Sequence, residues 1–355
     1  MLTSLTLGSF KNHLNRVFLW KEKNILTGAN GSGKTNILEA LYLFVNAIPP
    51  TERTFLQLVP SDSGILSLSG EFIKNNLPYS GGIGYTKGES KVCFLSQDTL
   101  ITRSRHRDIL PIRAVLFSPM EMNILYLGPS LRRDFLDEAI TLAYSEFTKV
   151  KREYTLALKN RNSLLKQIRE GTSIRDTLDL WDSLFIERAK NYYSYRIKLI
   201  KFIQERMSSI ELLLEGKYKL TFQYITKIDF QDIETSMFDY LRENRERDII
   251  TGHTYIGPHL DDFQCLISEN ISSNEYLSRG ENKTILIGLK FILIEFIEYS
   301  SKKDTILLLD DLFSELDTEH IESILLSAGK RQLFITTQNM PNFLTDKDQF
   351  SFYEI

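Results

Sequence analysis

The pattern of apolar and polar positions changes period twice along the chain. Residues 2–7 and 16–20 alternate, which predicts two antiparallel strands joined by a turn around Lys11-Asn12-His13. Asn24-Ile25-Leu26-Thr27 reads as the end of a buried strand. Asn36 to about Val45 reads as a helix, which Pro49-Pro50 stops. Residues 51–113 read as irregular connections and short strands. Candidates are Ile65–Phe72, hairpin material from Gly81 to Leu95 with Lys87-Gly88-Glu89 as its turn, and Ile112–Phe117.

From about Ser130 the spacing becomes helical. Phe135, Ala139, Leu142, Phe147, Val150, Tyr154, Ala157, Leu158, Leu164 and Leu165 recur at three- and four-residue steps, predicting a helix to Arg169 that Gly171 ends. A second run covers Ile174 to Leu214, where Gly216 stops it. The two suit an antiparallel helical pair and are too short for a long coiled-coil arm. Residues 218–230 then alternate as a strand, a short helix spans about Gln231 to Asp248, and Asp262–Ile267 is a further strand. The last hundred residues return to α/β character. They hold a helix of about Asn282–Tyr299, a continuous apolar run at Thr305–Leu309, and a strand at Gln332–Thr337.

Composition adds limits. A chain of 355 residues is long for a single core, so two structural units are expected. The net charge of −3 gives no overall pointer to nucleic acid or membrane, so a DNA-binding surface would have to be a local patch. Cys93 and Cys265 are too few and too far apart for a disulfide framework or a cysteine metal site. The longest apolar run, Ile285–Ile297, is broken by Lys290 and Glu295 and is too short to span a bilayer. The chain opens on an alternating segment and not on a signal peptide. A cytoplasmic location without a membrane partner is the expectation.

The candidate chemistry starts at Gly28-Ala29-Asn30-Gly31-Ser32-Gly33-Lys34-Thr35, between a strand and a helix. The glycines let successive N–H groups turn toward phosphate oxygens, and the helix start adds its positive dipole end. Lys34 would reach the β- and γ-phosphates, and Thr35 would hold Mg²⁺. Asn36 follows as a further ATP-binding candidate. The competing reading is an ordinary glycine turn, which the strand and helix on either side disfavour. Asp310 and Asp311 close an apolar strand where ligands bind in open α/β sheets. Asp310 would orient Mg²⁺. Asp311, with Lys34, is the catalytic candidate, polarising the attacking water. The alternative there is an acidic turn.

Ser278-Arg279-Gly280-Glu281 precedes a helix and has the serine–glycine pattern of an ABC signature, some thirty residues before the Asp310-Asp311 pair, whose strand fits a Walker B pattern. Simple N-capping by Ser278 is the competing reading. In ABC ATPases this motif faces the nucleotide of a partner subunit, so ATP would be sandwiched in an ATP-dependent homodimer. Ser314 to Asp317 has the D-loop pattern, and Thr336-Thr337 stand where transporter ATPases carry a histidine. Basic residues cluster at Arg103, Arg105 and Arg107, at Arg132 and Arg133, and at Lys149, Lys151 and Arg152. These are candidate phosphate contacts for DNA, against the alternative of solvated helix faces.

These residues together resemble the RecF family of ABC/SMC-like ATPases, from the N-terminus to about residue 339. Gly8-Ser9-Phe10-Lys11-Asn12 and the phosphate loop look like the start of that family. Phe117-Ser118-Pro119, Gly128-Pro129, Arg132 to Asp137, Lys159-Asn160-Arg161-Asn162 and Gly257-Pro258-His259-Leu260-Asp261-Asp262 carry its middle. Met120-Glu121-Met122 departs from the usual Glu-Asp-Leu, Glu281 from a common Gln, and Arg53 lies in a loose match. The resemblance implies an α/β fold, with an ABC-type P-loop ATPase lobe (a mixed sheet with helices) and an inserted α-helical lobe. The expected parts are 1–118 and 251–355 for the ATPase lobe and 119–250 for the helical insertion. It also implies ATP and Mg²⁺ as cofactors, and slow hydrolysis. The expected DNA is duplex or has gapped and single-stranded junctions, bound without sequence preference. Cooperation with a RecR-type partner in loading RecA is implied as well.

Three alternatives differ in what they require. A transporter subunit needs a histidine after Ile335, no arginine in the signature and no inserted helical pair of this length. A zinc-hook or long SMC-like protein needs extended heptads, and the hook a Cys-Xaa-Xaa-Cys. A nucleotide-gated DNA clamp with negligible turnover shares the site and differs only in whether Asp311 is effective.

Overall fold

A computed structural model describes the chain apart from residues 51–53, 61, 75, 90, 98, 268–270, 312–315 and 339–349. Arg53 and the D-loop candidate Ser314 therefore lie outside the described residues. The chain divides into two compact units, Met1–Met122 with Ile297–Ile355, and Asn123–Phe296.

The first unit opens with β1 (Leu2–Phe10), β2 (His13–Leu19), β3 (Lys23–Thr27), α1 (Lys34–Asn46) and α2 (Phe55–Leu58). It continues through β4 (Ile65–Lys74), β5 (Leu77–Thr86), β6 (Val92–Ser96), β7 (Thr99–Ile101), α3 (Arg103–Ile109) and β8 (Ile112–Phe117). Six strands form one antiparallel sheet in the order β2-β1-β4-β5-β6-β7. The stretch read as irregular connections and short strands carries longer strands than expected, with β4 and β5 running ten residues each. Its Gly81, Gly82 and Gly84 hide the alternation, and Gly70 is needed because a Cβ there would lie 2.9 Å from the Phe44 ring.

The second unit holds α4 (Pro129–Ala143), α5 (Phe147–Arg169), α6 (Leu178–Gln204), α7 (Met207–Leu213), β9 (Leu220–Ile225), α8 (Ile233–Glu243) and α9 (Arg245–Thr251). It continues with β10 (Asp262–Ile267), β11 (Ile271–Ser272), α10 (Ser273–Tyr276) and α11 (Arg279–Ser301), whose residues from Ile297 onward belong to the first unit. α5 and α6 run antiparallel. Arg161 meets Asp182, Arg188 meets Glu153, and Tyr195 reaches Glu146, so one index falls as the other rises. Each long helical run from the sequence contains a break, at 144–146 and at 205–206.

Residues 251–296 cluster with the helices, whereas the sequence expectation gave them to the ATPase lobe. The reason is pairing. β10 pairs along its whole length with β9, and Arg161 of α5 reaches Asp248 at 2.8 Å and Thr254 at 2.7 Å.

The first unit is completed by β12 (Asp304–Asp310), α12 (Thr318–Ala328), β13 (Gln332–Thr337) and β14 (Ser351–Glu354). The second sheet of this unit is parallel throughout, in the order β14-β3-β13-β12-β8. Thr305 to Leu309 are buried on both faces of β12, as a continuous apolar run predicts. α1 packs between the two sheets, against β8, β12 and β13 on the parallel side and β1 and β4 on the antiparallel side. From Ile37 to Asn46 it is buried all round, which is why its sequence shows little amphipathic contrast. Asn46 locks its end by exchanging two hydrogen bonds with the Ala114 backbone. Among the described residues, no helix is long and apolar enough to cross a membrane.

Candidate functional site

The carboxyl ends of β3, β13 and β12 lie side by side, and the chemistry-bearing residues gather there. The loop after β3 turns through Gly28, Gly31 and Gly33 at φ 156°, 81° and 109°, backbone that L side chains rarely adopt. α1 starts without a side-chain cap and with no acidic residue in its first turn. Its leading N–H groups and dipole therefore remain available to an anion. The Lys34 ammonium is folded back on the loop, donating to the Gly28 and Ala29 carbonyls at 2.7 and 2.8 Å. A phosphate entering the loop offers that ammonium a stronger, charged acceptor.

The Thr35 hydroxyl donates to Asp310 Oδ1 at 2.9 Å, joining the loop to β12. Thr336, at the end of the intervening β13, donates to the same oxygen at 2.8 Å. Its own Oγ1 accepts the Asp311 N–H at 2.9 Å. Burial pushes the Asp310 carboxyl above the usual range, the two threonine hydroxyls pull it back, and Asp311 raises it again. Asp311 itself sits at φ 45°, in the left-handed region of the backbone. The sequence marked Thr336 only as a departure from the transporter pattern. The missing signal is register, since Thr336 pairs directly with Asp310 across the sheet.

The expected turn at Lys11-Asn12-His13 forms the hairpin tip between β1 and β2, but its contact with the phosphate loop was missed. Asn12 donates to the Ser32 carbonyl at 3.2 Å and His13 Nε2 bonds the Gly33 carbonyl at 3.0 Å. Asn36, an ATP-binding candidate in sequence, turns its side chain to this tip. It donates to Asn12 at 2.7 Å and accepts from Lys11 at 3.1 Å.

In the second unit, Ser278 and Glu281 form a reciprocal cap at the start of α11. The Ser278 hydroxyl and N–H donate to Glu281 Oε2 at 2.7 and 2.9 Å, and Glu281 N–H returns to Ser278 Oγ at 3.3 Å. Hydrogen bonding from Ser278 holds the Glu281 carboxyl below the usual range. Ser278 and Arg279 are exposed. The capping reading thus holds in the isolated chain, and the serine stands at an open helix start. Asp317 caps α12 through the His320 N–H at 3.0 Å.

The basic candidates separate into two groups. Arg107 is 2% exposed, and the equally buried Arg113 donates to its carbonyl at 3.0 Å. Arg132 makes a two-pronged pair with Asp262 at 2.6 and 2.7 Å, and Arg133 donates to the Asp261 carbonyl at 3.1 Å. Lys151 pairs with Asp137 at 2.9 Å, and Arg103 lies over the Phe55 and Phe94 rings. Buried Arg107 is thus corrected from a DNA contact to an internal group, and Arg132 to a partner of Asp262. Arg105, Lys149 and Arg152 are exposed.

Much of the middle family pattern is likewise internal framework of the second unit. Arg161 is fully buried on Asp182, Asp248 and Thr254. His259, between Tyr154 and the Thr254 carbonyl, has its pKa pushed by burial to about 4.

Two stacked sheets around a buried helix, with a phosphate loop facing a strand-end carboxylate, define an ABC-type P-loop ATPase fold. The family model described as "AAA domain, putative AbiEii toxin, Type IV TA system" matches residues 23–345. The DNA replication and repair protein RecF of Streptococcus gordonii is 30% identical over 370 residues, covering 100% of this chain and 98% of that protein. The RecF of Ruminiclostridium cellulolyticum is 29% identical over 361 residues, covering 97% and 94%. A solved structure of the recombination mediator protein RecF-ATP in the RecFOR pathway superposes with a TM-score of 0.84 at 26% identity, over 96% of this chain and 92% of that one. The chain belongs to this AAA-domain family and to the RecF family.

Proposed function

We propose that the chain is an ATP-dependent DNA-binding ATPase of recombinational and gap repair. The observation that carries this is the joining of the phosphate loop to β12 through Thr35 and Asp310, beside an uncapped helix start. The RecF relatives and the RecF-ATP structure support the same reading.

Residues Gly28 to Thr35 bind the triphosphate by their N–H groups, and Lys34 exchanges its two carbonyl acceptors for β- and γ-phosphate oxygens. Thr35 and Asp310 are hard oxygen donors with the character Mg²⁺ prefers. When bound, Mg²⁺ would neutralise phosphate charge. Thr336 holds Asp310 in its orientation, and Asp311 takes the proton side of the attacking water. Ser278 to Glu281 face the nucleotide of a second copy, so ATP fastens a homodimer and slow hydrolysis releases it. Asp317, which caps α12, belongs to the D-loop pattern that would meet the second copy. Duplex or gapped DNA is held by backbone charge alone, and a RecR-type partner joins in RecA loading. Such work belongs in the cytoplasm.

Duplex binding measured with and without ATP across a salt series tests the reading. The expected result is tighter binding with ATP and an affinity that falls linearly in log[salt]. Binding that ignores both nucleotide and salt contradicts it.

A further inference from the structure

We propose that Asn12 and His13, at the tip of the β1–β2 hairpin, are positioning residues that aim the phosphate loop's N–H groups. The inference rests on the reading of Gly28–Thr35 as a phosphate site. It concerns how that site is held ready.

A trans peptide points its carbonyl and its N–H in opposite directions. The Ser32 carbonyl shares a plane with the Gly33 N–H, and the Gly33 carbonyl with the Lys34 N–H. Asn12 Nδ2 takes the first carbonyl at 3.2 Å and His13 Nε2 the second at 3.0 Å. The Ser32 carbonyl is fixed from the hairpin, and the Gly33 carbonyl by His13 together with the Ile37 N–H of α1 at 3.2 Å, so both N–H groups turn to the opposite side, where the helix start leaves them without a carbonyl ahead. A carbonyl only accepts, so His13 carries its proton on Nε2. Burial lowers the His13 pKa, which favours that neutral form.

The tip is itself braced. Asn12 accepts from Asn36 at 2.7 Å, Lys11 donates to Asn36 at 3.1 Å and pairs with Glu39, and the Lys11 N–H reaches the Leu58 carbonyl at 3.1 Å. Lys11 adopts φ 47°, the left-handed backbone of a tight turn. The approach is close at Gly33, a position whose φ of 109° already favours glycine. A Cβ on Gly33 would lie 2.5 Å from His13 Nε2 and 2.6 Å from Asn12 Nδ2. Asn12 is exposed whereas His13 is 3% exposed, so the two can be tested separately.

The test is titration of the full-length chain and its variants with fluorescent mant-ATP and mant-ADP, beside thermal unfolding and the split of KM from kcat. Asn12→Ala and His13→Ala should each weaken both nucleotides, by roughly tenfold for one lost oriented hydrogen bond. KM should rise while kcat stays within about twofold, since the loop binds ground state and transition state alike. His13→Gln, which restores an N–H donor, should recover most of the affinity. Wild-type affinity in both alanine variants overturns the proposal. So does His13→Gln being as impaired as His13→Ala, which would make the ring's packing the cause. Should His13→Ala fail to fold, exposed Asn12→Ala decides alone. Absence of mant-ATP binding by the unmodified chain would instead bring down the phosphate-site reading, and this inference with it.

Discussion

Replacing Thr336 by valine removes one hydroxyl and almost nothing else, at a fully buried position between the two halves of the site. That hydroxyl donates to Asp310 Oδ1 at 2.8 Å and accepts the Asp311 N–H at 2.9 Å. A hydrogen bond to a charged group is worth about 1.5–3 kcal/mol, and a stranded N–H costs about 1–3 kcal/mol. Solvent near the site reduces both, so a loss of about 3 kcal/mol is expected. For a unit of this size that corresponds to roughly 6–12 °C in the unfolding midpoint.

The sign with pH follows from Asp310. Burial raises its folded pKa above the unfolded value, so the folded chain holds the proton more tightly. Its contribution to stability then falls as pH rises from the unfolded pKa, near 4, through the folded one. Loss of the Thr336 bond raises the folded pKa further, so the valine penalty should be larger at pH 8 than at pH 5. Thermal unfolding at both pH values checks this, with Thr336→Ser retaining most of the stability. A Thr336→Val chain as stable as the original at pH 8, or with an equal penalty at both pH values, refutes the reasoning.

Other expectations are more direct. Arg132→Ala should destabilise the second unit by about 2 kcal/mol, because Asp262 loses a largely buried partner, and the salt slope of DNA binding should stay unchanged. Arg152→Ala should do the reverse, leaving unfolding unaltered while lowering the slope of log affinity against log[salt] by about one unit. Asp317→Ala should cost about 1 kcal/mol through loss of the α12 cap, measurable by denaturant unfolding.

What was legible in the sequence is what depends on local order. The phosphate loop, the double aspartate and the strands Asp262–Ile267 and Gln332–Thr337 are contiguous, and their chemistry follows from spacing. The breaks in the long helical runs were not legible, because Tyr144-Ser145-Glu146 contains neither glycine nor proline to announce them. Thr336, Asn12 and His13 were missed for another reason. Each acts on a residue 20 or more positions away, through sheet register or a hairpin folding back. The basic residues misled in the same way. Arg132 looks like a free cation until Asp262, 130 residues on, is brought beside it. Charge in sequence reports composition, whereas availability to a phosphate depends on partners that only the fold supplies.

In the proposed function, the loop and carboxylates form half of a site that a second copy completes. Sedimentation velocity with saturating ATP and Mg²⁺ tests it most directly, on the unmodified chain and on Ser278→Arg. A shift from the 41.2 kDa monomer to a dimer is expected with ATP and not without it. In Ser278→Arg, with mant-ATP binding retained, that shift should be lost. A chain that stays monomeric at saturating ATP, or a Ser278→Arg chain that dimerises equally well, would contradict it.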